Sequence, residues 1–543
     1  MDTGLLTARK TISLASFTVE SLRSSSSSEV QLAGVLLLDN LLSQETNSSQ
    51  DLKSRIIRSN EALSMLIGML GWSDVRGRDI RFLAARVTAK LAGSIRVALF
   101  PDTVKLVSSL LDAGNKPLRQ QDSLLNRAQV TAACLTNGET DMGNQPLGQG
   151  PSTETTSGIA GLTWIHRYWQ RTKERWSIPE DLPLTHEDSF PFLGMVILEK
   201  LACDLDNCTE MLKDKILFSK IIGLIRYDTT DIDEQQIAVT CSSLNFLRRL
   251  ATTEEKIGVA LRQELWKNNF LLNNLVDILE DSRSSSELLE PVMVIIGGLA
   301  LDKRAGRQIG RTQVIIGRLL HVFLGKDWAS DTYYVQSLRT TAGEALANLA
   351  IWGTANCSSI LAEPGYEVIK DIRNLLCEDN YRNVAASLLQ NICAHCRDKL
   401  RHQGASEHLS SVLPEVMENI MSAKGRELES LIGLLESHIN AAVLSLNLAC
   451  TLNSNKKPNP EYPRMRRVVI ETVISIVKSC PRYATILRDA GMMEALSKVE
   501  RTPSNVEKYR VFYGNFGVVL ESGTSLPVLV AKAKKLIDSA API

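Results

Sequence analysis

Apolar residues recur three and four positions apart along this chain, and such stretches close on a Leu or Ile, most often followed by a small residue, ahead of a polar break. Residues 338–349 show the pattern: Leu338, Ala342, Ala345, Leu346 and Leu349 fall on one helical face. The closing residues are Leu41, Leu91, Leu201, Leu250, Leu299, Leu349, Ile392 and Leu448, with steps of 50, 110, 49, 49, 50, 43 and 56. A regular step of this size predicts repeated helical units, none of which buries its apolar face alone, stacked into one continuous core. Small residues such as Ala342, Gly343, Ala345 and Ala347 allow the close helix approach that stacking needs.

Punctuation between the helices follows the same period. Asn207 with Glu210, and Thr252 with Glu255, are read as capping boxes at helix starts. Gly310, Gly365, Gly404 and Gly491 each end a short helix ahead of an apolar one, where the left-handed backbone that glycine adopts cheaply is predicted. The 110-residue step implies an insertion, and TNGETDMGNQPLGQGPSTETTSG (136–158) has the composition of a disordered one. It leads into WIHRYWQRTKERW, where Trp164, Ile165, Tyr168 and Trp169 share a helix face among Arg167, Arg171, Lys173 and Arg175. Such a helix suits docking on a partner or an anionic membrane surface, or packing of its tryptophans on neighbouring repeats. Ser24–Ser28 reads as a flexible break or a phosphorylated linker, KKPNPEYPR (456–464) interrupts the last units, and LPVLVAKAKKLIDSA reads as an amphipathic capping helix.

The unit ALANLAIWGTANCSSILAEPGYEVIKDIRNLL resembles an armadillo repeat, and residues 29–112 and 189–500 are similar to the armadillo-like α-solenoid superfamily. The resemblance implies an all-α fold, a right-handed α-solenoid of armadillo- or HEAT-like helical repeats. Its expected parts are an N-terminal helix and Ser-rich linker (1–28), N-terminal repeats (29–112), a partly disordered insertion (113–188), the main array (189–500) and a C-terminal capping segment (501–543). The layout is also similar to that of plant armadillo-repeat proteins of uncharacterised function, some with membrane-spanning helices ahead of the repeats. No such span is present here, so a soluble isoform or a fragment is expected, in the cytoplasm unless a longer form is membrane-anchored.

In the armadillo family the residue before the closing Leu projects into a concave groove, where several members use asparagines to bond an extended peptide. The matching positions here are Asn40, Asn348, Asn391 and Asn447, with Lys90, Lys200 and Arg249 in other units and Gly298 in one more. An amide side chain offers a donor and an acceptor, which suits a peptide backbone. The same asparagines equally suit bonds between repeats. The basic members favour an acidic partner, by ion pairs that weaken with salt. The tryptophan that import-type members place four residues earlier is absent, with Glu344, Ser387 and Val443 there instead, so a basic import signal is not the expected ligand.

Composition narrows the rest. Lys plus Arg and Asp plus Glu both number 61, which argues against nucleic acid as the main ligand. The ten cysteines are scattered through apolar helical patterns and are expected to be reduced and buried. The sequons at Asn47, Asn207 and Asn356 matter only outside the cytosol. MDTGLLTARK lacks a signal-peptide apolar region, and the longest apolar run, 292–301, is too short to cross a bilayer. No phosphate-binding loop, HExxH or GxSxG motif occurs. Cys393, His395, Cys396 and His402 are the nearest approach to a metal set, and a buried helical cysteine pair is the expected outcome. The expectation is a non-enzymatic scaffold for a protein or extended peptide, without cofactor. Peripheral membrane attachment through the Trp-rich helix is the alternative.

Overall fold

The apolar stretches fold as helices with their closing residues turned inward, as a computed structural model of the chain shows for residues 18, 20–22, 28–43, 47–72, 77–113, 189–226, 234–281, 286–325, 332–365, 367–402, 423–436, 444–503, 505–513, 518–521 and 523–539. Leu91, Leu201, Leu250, Leu299, Leu349, Ile392 and Leu448 are all buried. Removing each such side chain from water contributes about 1.5–3 kcal/mol. Leu41 differs: it is half-buried, and Leu38 and Leu42 fill the core of its helix instead.

The chain divides into two units, one of Met1–Leu224 with Asp231–Ser242, the other of Ile225–Thr230 with Ser243–Ile543. The first contains α1 (Ser28–Ser43), α2 (Asn47–Arg58), α3 (Asn60–Met69), α4 (Arg78–Leu91), α5 (Thr103–Leu111), α6 (Phe190–Leu201), α7 (Leu205–Met211) and α8 (Lys215–Leu224). Its long helices stack in order, α1 on α4 and α4 on α6. Helix α5 packs directly on α6, so the two helices on either side of the long step in the sequence are neighbours in space. Helix α9 (Glu234–Ala251) begins in the first unit and ends in the second.

The second unit continues with α10 (Glu255–Trp266), α11 (Asn269–Glu280), α12 (Ser286–Leu299), α13 (Lys303–Ile309), α14 (Gln313–Leu324), α15 (Tyr333–Ala350), α16 (Thr354–Leu361), α17 (Val368–Leu376) and α18 (Arg382–His402). There follow α19 (Gly425–Glu436), α20 (Leu444–Ser454), α21 (Met465–Ser479), α22 (Tyr483–Asp489), α23 (Met492–Glu500) and α24 (Leu526–Ser539). Helices α12, α15, α18, α19, α21 and α24 pack consecutively as one row. Each unit is thus a stack of armadillo-like helical repeats, and the fold is an all-α solenoid. The helix α20, with its closing Leu448, is not the next member of the row after α18. It packs on α21, α22 and α23, and α19 takes the place in the row. The irregular step of 56 residues is this change of layer.

One element departs from the helical expectation. Strands β1 (Tyr509–Tyr513) and β2 (Val518–Glu521) form an antiparallel pair within the capping segment. Aromatic and β-branched residues at Tyr509, Val511 and Tyr513 suit extended backbone. A buried ion pair ties the approach to β1 onto the array: Arg466 of α21 bonds Glu507 through both guanidinium branches, and Arg467 donates to the Glu507 carbonyl at 2.9 Å. Arg466 also donates to the carbonyl of Lys456, fixing the segment 456–464 that leads into α21.

The repeat junctions use a motif that the capping-box reading misplaced. Aspartates in LACD and LALD are the helix caps: Asp204 accepts from the amides of Asp206 and Asn207, and Asp302 from those of Arg304 and Ala305. Asn207 lies inside α7, and its amide clamps the junction. Nδ2 donates to the carbonyls of Ile95 at 2.8 Å and Leu201 at 3.1 Å, while Oδ1 accepts from Val97 N–H at 2.8 Å. Asn356 of α16 repeats the clamp, with Nδ2 donating to Gly306 at 2.9 Å and Leu349 at 2.8 Å. Thr252 is no cap either, since its hydroxyl donates back to the Arg248 carbonyl. In that junction Arg262, 1% exposed, reaches the carbonyls of Ala251 and Thr253, and burial lowers its pKa to about 10.

Gly365 and Gly491 have φ of +83° and +80°, the left-handed backbone expected of them. Gly310 does not: its φ is −65°. Glycine is needed there for space, because a Cβ would lie 2.2 Å from the Asn356 side chain. Gly404 lies outside the described residues.

Candidate functional site

At four of the positions before a closing residue the same bond recurs. Lys90 Nζ donates to the carbonyl of Asp39 at 2.9 Å, and Lys200 Nζ to that of Ala89 at 2.7 Å. Asn348 Nδ2 donates to Gly297 at 3.2 Å, and Asn391 Nδ2 to Ala347 at 3.3 Å. Every acceptor is the carbonyl one residue ahead of the same position in the preceding repeat. These side chains therefore stitch long helix to long helix. The bond between repeats is real, and it uses the amide donor that a groove ligand would also seek.

In the second unit Asn348 and Asn391 line a groove of about 450 Å3 on the walls of α12, α15, α18 and α19. Gly297, Gly298, Met293, Ala345, Ala347 and Ile351 are among the small and apolar residues of its lining. Glu344, Glu429, Glu461 and Arg464 supply the charged groups of the lining. Glu344 and Glu461 are exposed, and Glu429 is half-buried. The expected acidic partner was inferred from basic positions, yet this groove is net negative. Glu344 is visible in the sequence as the residue at the position where import-type armadillo proteins carry tryptophan. Glu429 and Glu461 are not, because α19 replaces α20 in the row.

The first unit has the opposite character. Lys90 Nζ bonds the buried Asp39 carboxylate at 2.6 Å and the Ser43 hydroxyl at 2.6 Å, and Arg86 approaches the same carboxylate at 3.4 Å. Burial lowers the pKa of Lys200, with the charges of Lys53 and Lys90 adding to the shift. Asp39 thus faces both Lys90 and Arg86, while Glu199 acts on Lys200 against the effect of the neighbouring lysines.

The remaining candidates are dispersed. Asn40 is half-buried on α1, and Arg249 is exposed near the end of α9. Asn447 belongs to α20 and so stands in the other layer; its side chain is not among those described. Trp164, Tyr168 and Trp169 lie outside the described residues. Cys208, Cys357, Cys393 and Cys396 are buried, whereas Cys203, Cys377 and Cys450 are exposed, against the expectation of general burial. Helix α18 leaves helical geometry at Cys396, where φ is −122° and ψ is 26°. Among the described residues no three His, Cys, Asp or Glu side chains gather as a metal-binding set. No helix among them is long and apolar enough to cross a membrane.

No family model matches the chain, and no curated protein matches it. An engineered protein of solved structure is similar over 97% of this chain and 99% of its own, at 14% identity and a TM-score of 0.46. A designed armadillo repeat protein covers 46% of this chain and 94% of its own, at 18% identity and a TM-score of 0.35. Another, solved in complex with the peptide (KR)4, covers 45% and 92%, at 15% identity and 0.35. The solenoid fold stands on the packing of this chain's own helices.

Proposed function

We propose that the chain is a non-enzymatic scaffold that holds an extended protein segment along the long-helix wall of its repeats. One observation carries this reading: a groove of about 450 Å3 runs over helices of successive repeats, with Asn348 and Asn391 at matching positions in it. Their Nδ2 groups brace the preceding repeat, which holds the amides in fixed orientation against a ligand backbone. A cytoplasmic setting fits the 2% and 1% exposure of Asn207 and Asn356, since glycan attachment at those sequons is incompatible with the folded junctions.

Because the asparagines are structural, the test uses a residue of the lining that makes no junction bond. Ser387→Trp fills the groove from α18 and is expected to abolish binding of an extended peptide found by library selection, with the thermal midpoint unchanged. Undiminished binding by that variant would remove the groove from the account. Membrane attachment remains the alternative borne by Trp164, Tyr168 and Trp169, and failure to float with anionic vesicles would dismiss it.

A further inference from the structure

We infer that the outer face of α13 and the turn after it dock on an anionic phospholipid surface, independently of the groove. Between Lys303 and Lys326 there are six Lys or Arg and no Asp or Glu, in a chain whose formal charges cancel. Four of the six, Lys303, Arg304, Arg307 and Arg311, are exposed. At about 100° per residue, Lys303, Arg304 and Arg307 fall within one arc of about 100°. Opposite that arc Ala305, Gly306 and Ile309 are buried, and α13 packs on α12 and α15. Arg311 follows through Gly310, whose backbone stays right-handed at φ −65° and ψ −8°. Among the described residues none of the four cationic side chains has a hydrogen bond or an ion pair. Asp302, the carboxylate beside them in the chain, is committed to capping the amides of Arg304 and Ala305.

Four cations on one face attract a polyanion, and their apolar neighbours decide which kind. Val314, three residues past Arg311 at the start of α14, is 38% exposed. Phe270 is 70% exposed at the same second position of α11, which packs on α14. An acidic protein segment is best held in a recess, and the groove of this unit is lined by none of these six residues. A bilayer needs no recess. Its headgroup layer presents phosphate over a broad area, and the acyl boundary beneath accepts side chains such as Val314 and Phe270. Each Lys or Arg near an anionic leaflet adds to the attraction, which fades within a Debye length. Nucleic acid is served less well, since base stacking asks for a series of aromatic faces and Phe270 is the one aromatic among the six.

The test floats the full chain with vesicles of phosphatidylcholine, alone or with about 30% phosphatidylserine. At about 50 mM salt the serine-containing vesicles are expected to carry at least about tenfold more protein, the excess shrinking as salt rises. Combining Lys303→Gln, Arg304→Gln, Arg307→Gln and Arg311→Gln should remove that excess, with the melting midpoint unchanged because the four side chains make no bonds. Should the combination unfold, Arg307→Gln with Arg311→Gln is expected to lower the excess at least about threefold. Phe270→Ser with Val314→Ser should weaken binding to the anionic vesicles at least about threefold at unchanged charge. Trp164→Ala with Trp169→Ala should float as the wild type does. Equal binding to the two vesicle types, flotation that survives the charge variants, or flotation lost with the tryptophans alone would overturn the inference. So would a charge variant that loses single-stranded RNA or a Glu-rich peptide while its flotation is unaltered. Ser387→Trp should float normally, so loss of peptide binding in that variant bears on the groove and loss of flotation in the α13 variants bears on this surface.

Discussion

Lys90 and Lys200 in the first unit occupy the same repeat position as Asn348 and Asn391 in the second, and all four donate to the equivalent backbone carbonyl. The bond is shared and the chemistry left over is not. An ammonium brings a charge that its wall must balance, as Asp39 does for Lys90, whereas an amide brings none. Repeat geometry thus sets where donors stand, and side-chain choice sets what the surface attracts.

The largest effects should come from the feature the units have in common. Asn207 and Asn356 are buried and each satisfies carbonyls of two repeats. Replacing Asn356 with Ala removes the side-chain donor from two carbonyls, leaving Gly306 only the Gly310 N–H and Leu349 only the Trp352 N–H among the bonds described, and should destabilise the second unit by about 2–3 kcal/mol, with Asn207→Ala doing the same in the first. Urea unfolding read by a probe in each unit checks this. A loss below about 1 kcal/mol for both would mean water replaces the clamp. Gly310→Ala tests the same junction from the other side. It drives a methyl into Asn356 and should cost about 1–3 kcal/mol, whereas a merely conformational glycine at this φ would gain on becoming alanine.

Substitutions within the row should matter less. Asn391→Ala removes one half-buried bond of 3.3 Å, for about 1 kcal/mol. Lys200→Asn should cost about as much as Lys200→Met, because the shorter side chain cannot span the gap that lysine spans to the Ala89 carbonyl. If Lys200→Asn is neutral in a melting experiment, the two kinds of rung are interchangeable and the contrast between units loses its structural basis.

The period was legible because closing leucines must be apolar, and burial leaves a pattern that repeats with the fold. The ladder was half legible. The donors stand at a predictable position, but their acceptors are backbone carbonyls, which every residue carries and no sequence marks. The capping aspartates Asp204 and Asp302 were overlooked in favour of Asn207 and Thr252, since a sequence does not say which of two nearby polar residues is drawn into a buried junction. The strand pair Tyr509–Tyr513 and Val518–Glu521 has a signal in its Tyr and Val residues, obscured by the helical rhythm before it. The acidic lining depended on α19 joining the row, a packing event with no local signature.

The smallest effect separates the two kinds of rung by titration. Burial depresses the Lys200 pKa below 10.5, and the charges of Lys53 and Lys90 push it in the same direction. In the unfolded chain the group titrates near its ordinary value. At neutral pH both states hold the proton and the cost of placing the charge in the wall is fully present. As pH rises through the lowered folded value toward 10.5, the folded chain releases its proton first, so its stability increases relative to the unfolded chain. The wild-type melting midpoint should therefore climb relative to Lys200→Met as pH approaches 10.5 from below, with neutral Nζ still donating to Ala89. Asn391 does not ionise, so the gap between wild type and Asn391→Ala should stay level across that range. Lys53→Gln removes the larger of the two repulsions and should shift the Lys200 climb to higher pH. A level profile for Lys200→Met would mean that its ammonium is as well solvated in the wall as in the unfolded chain, and the cationic character of the first unit would then be an ordinary exposed surface.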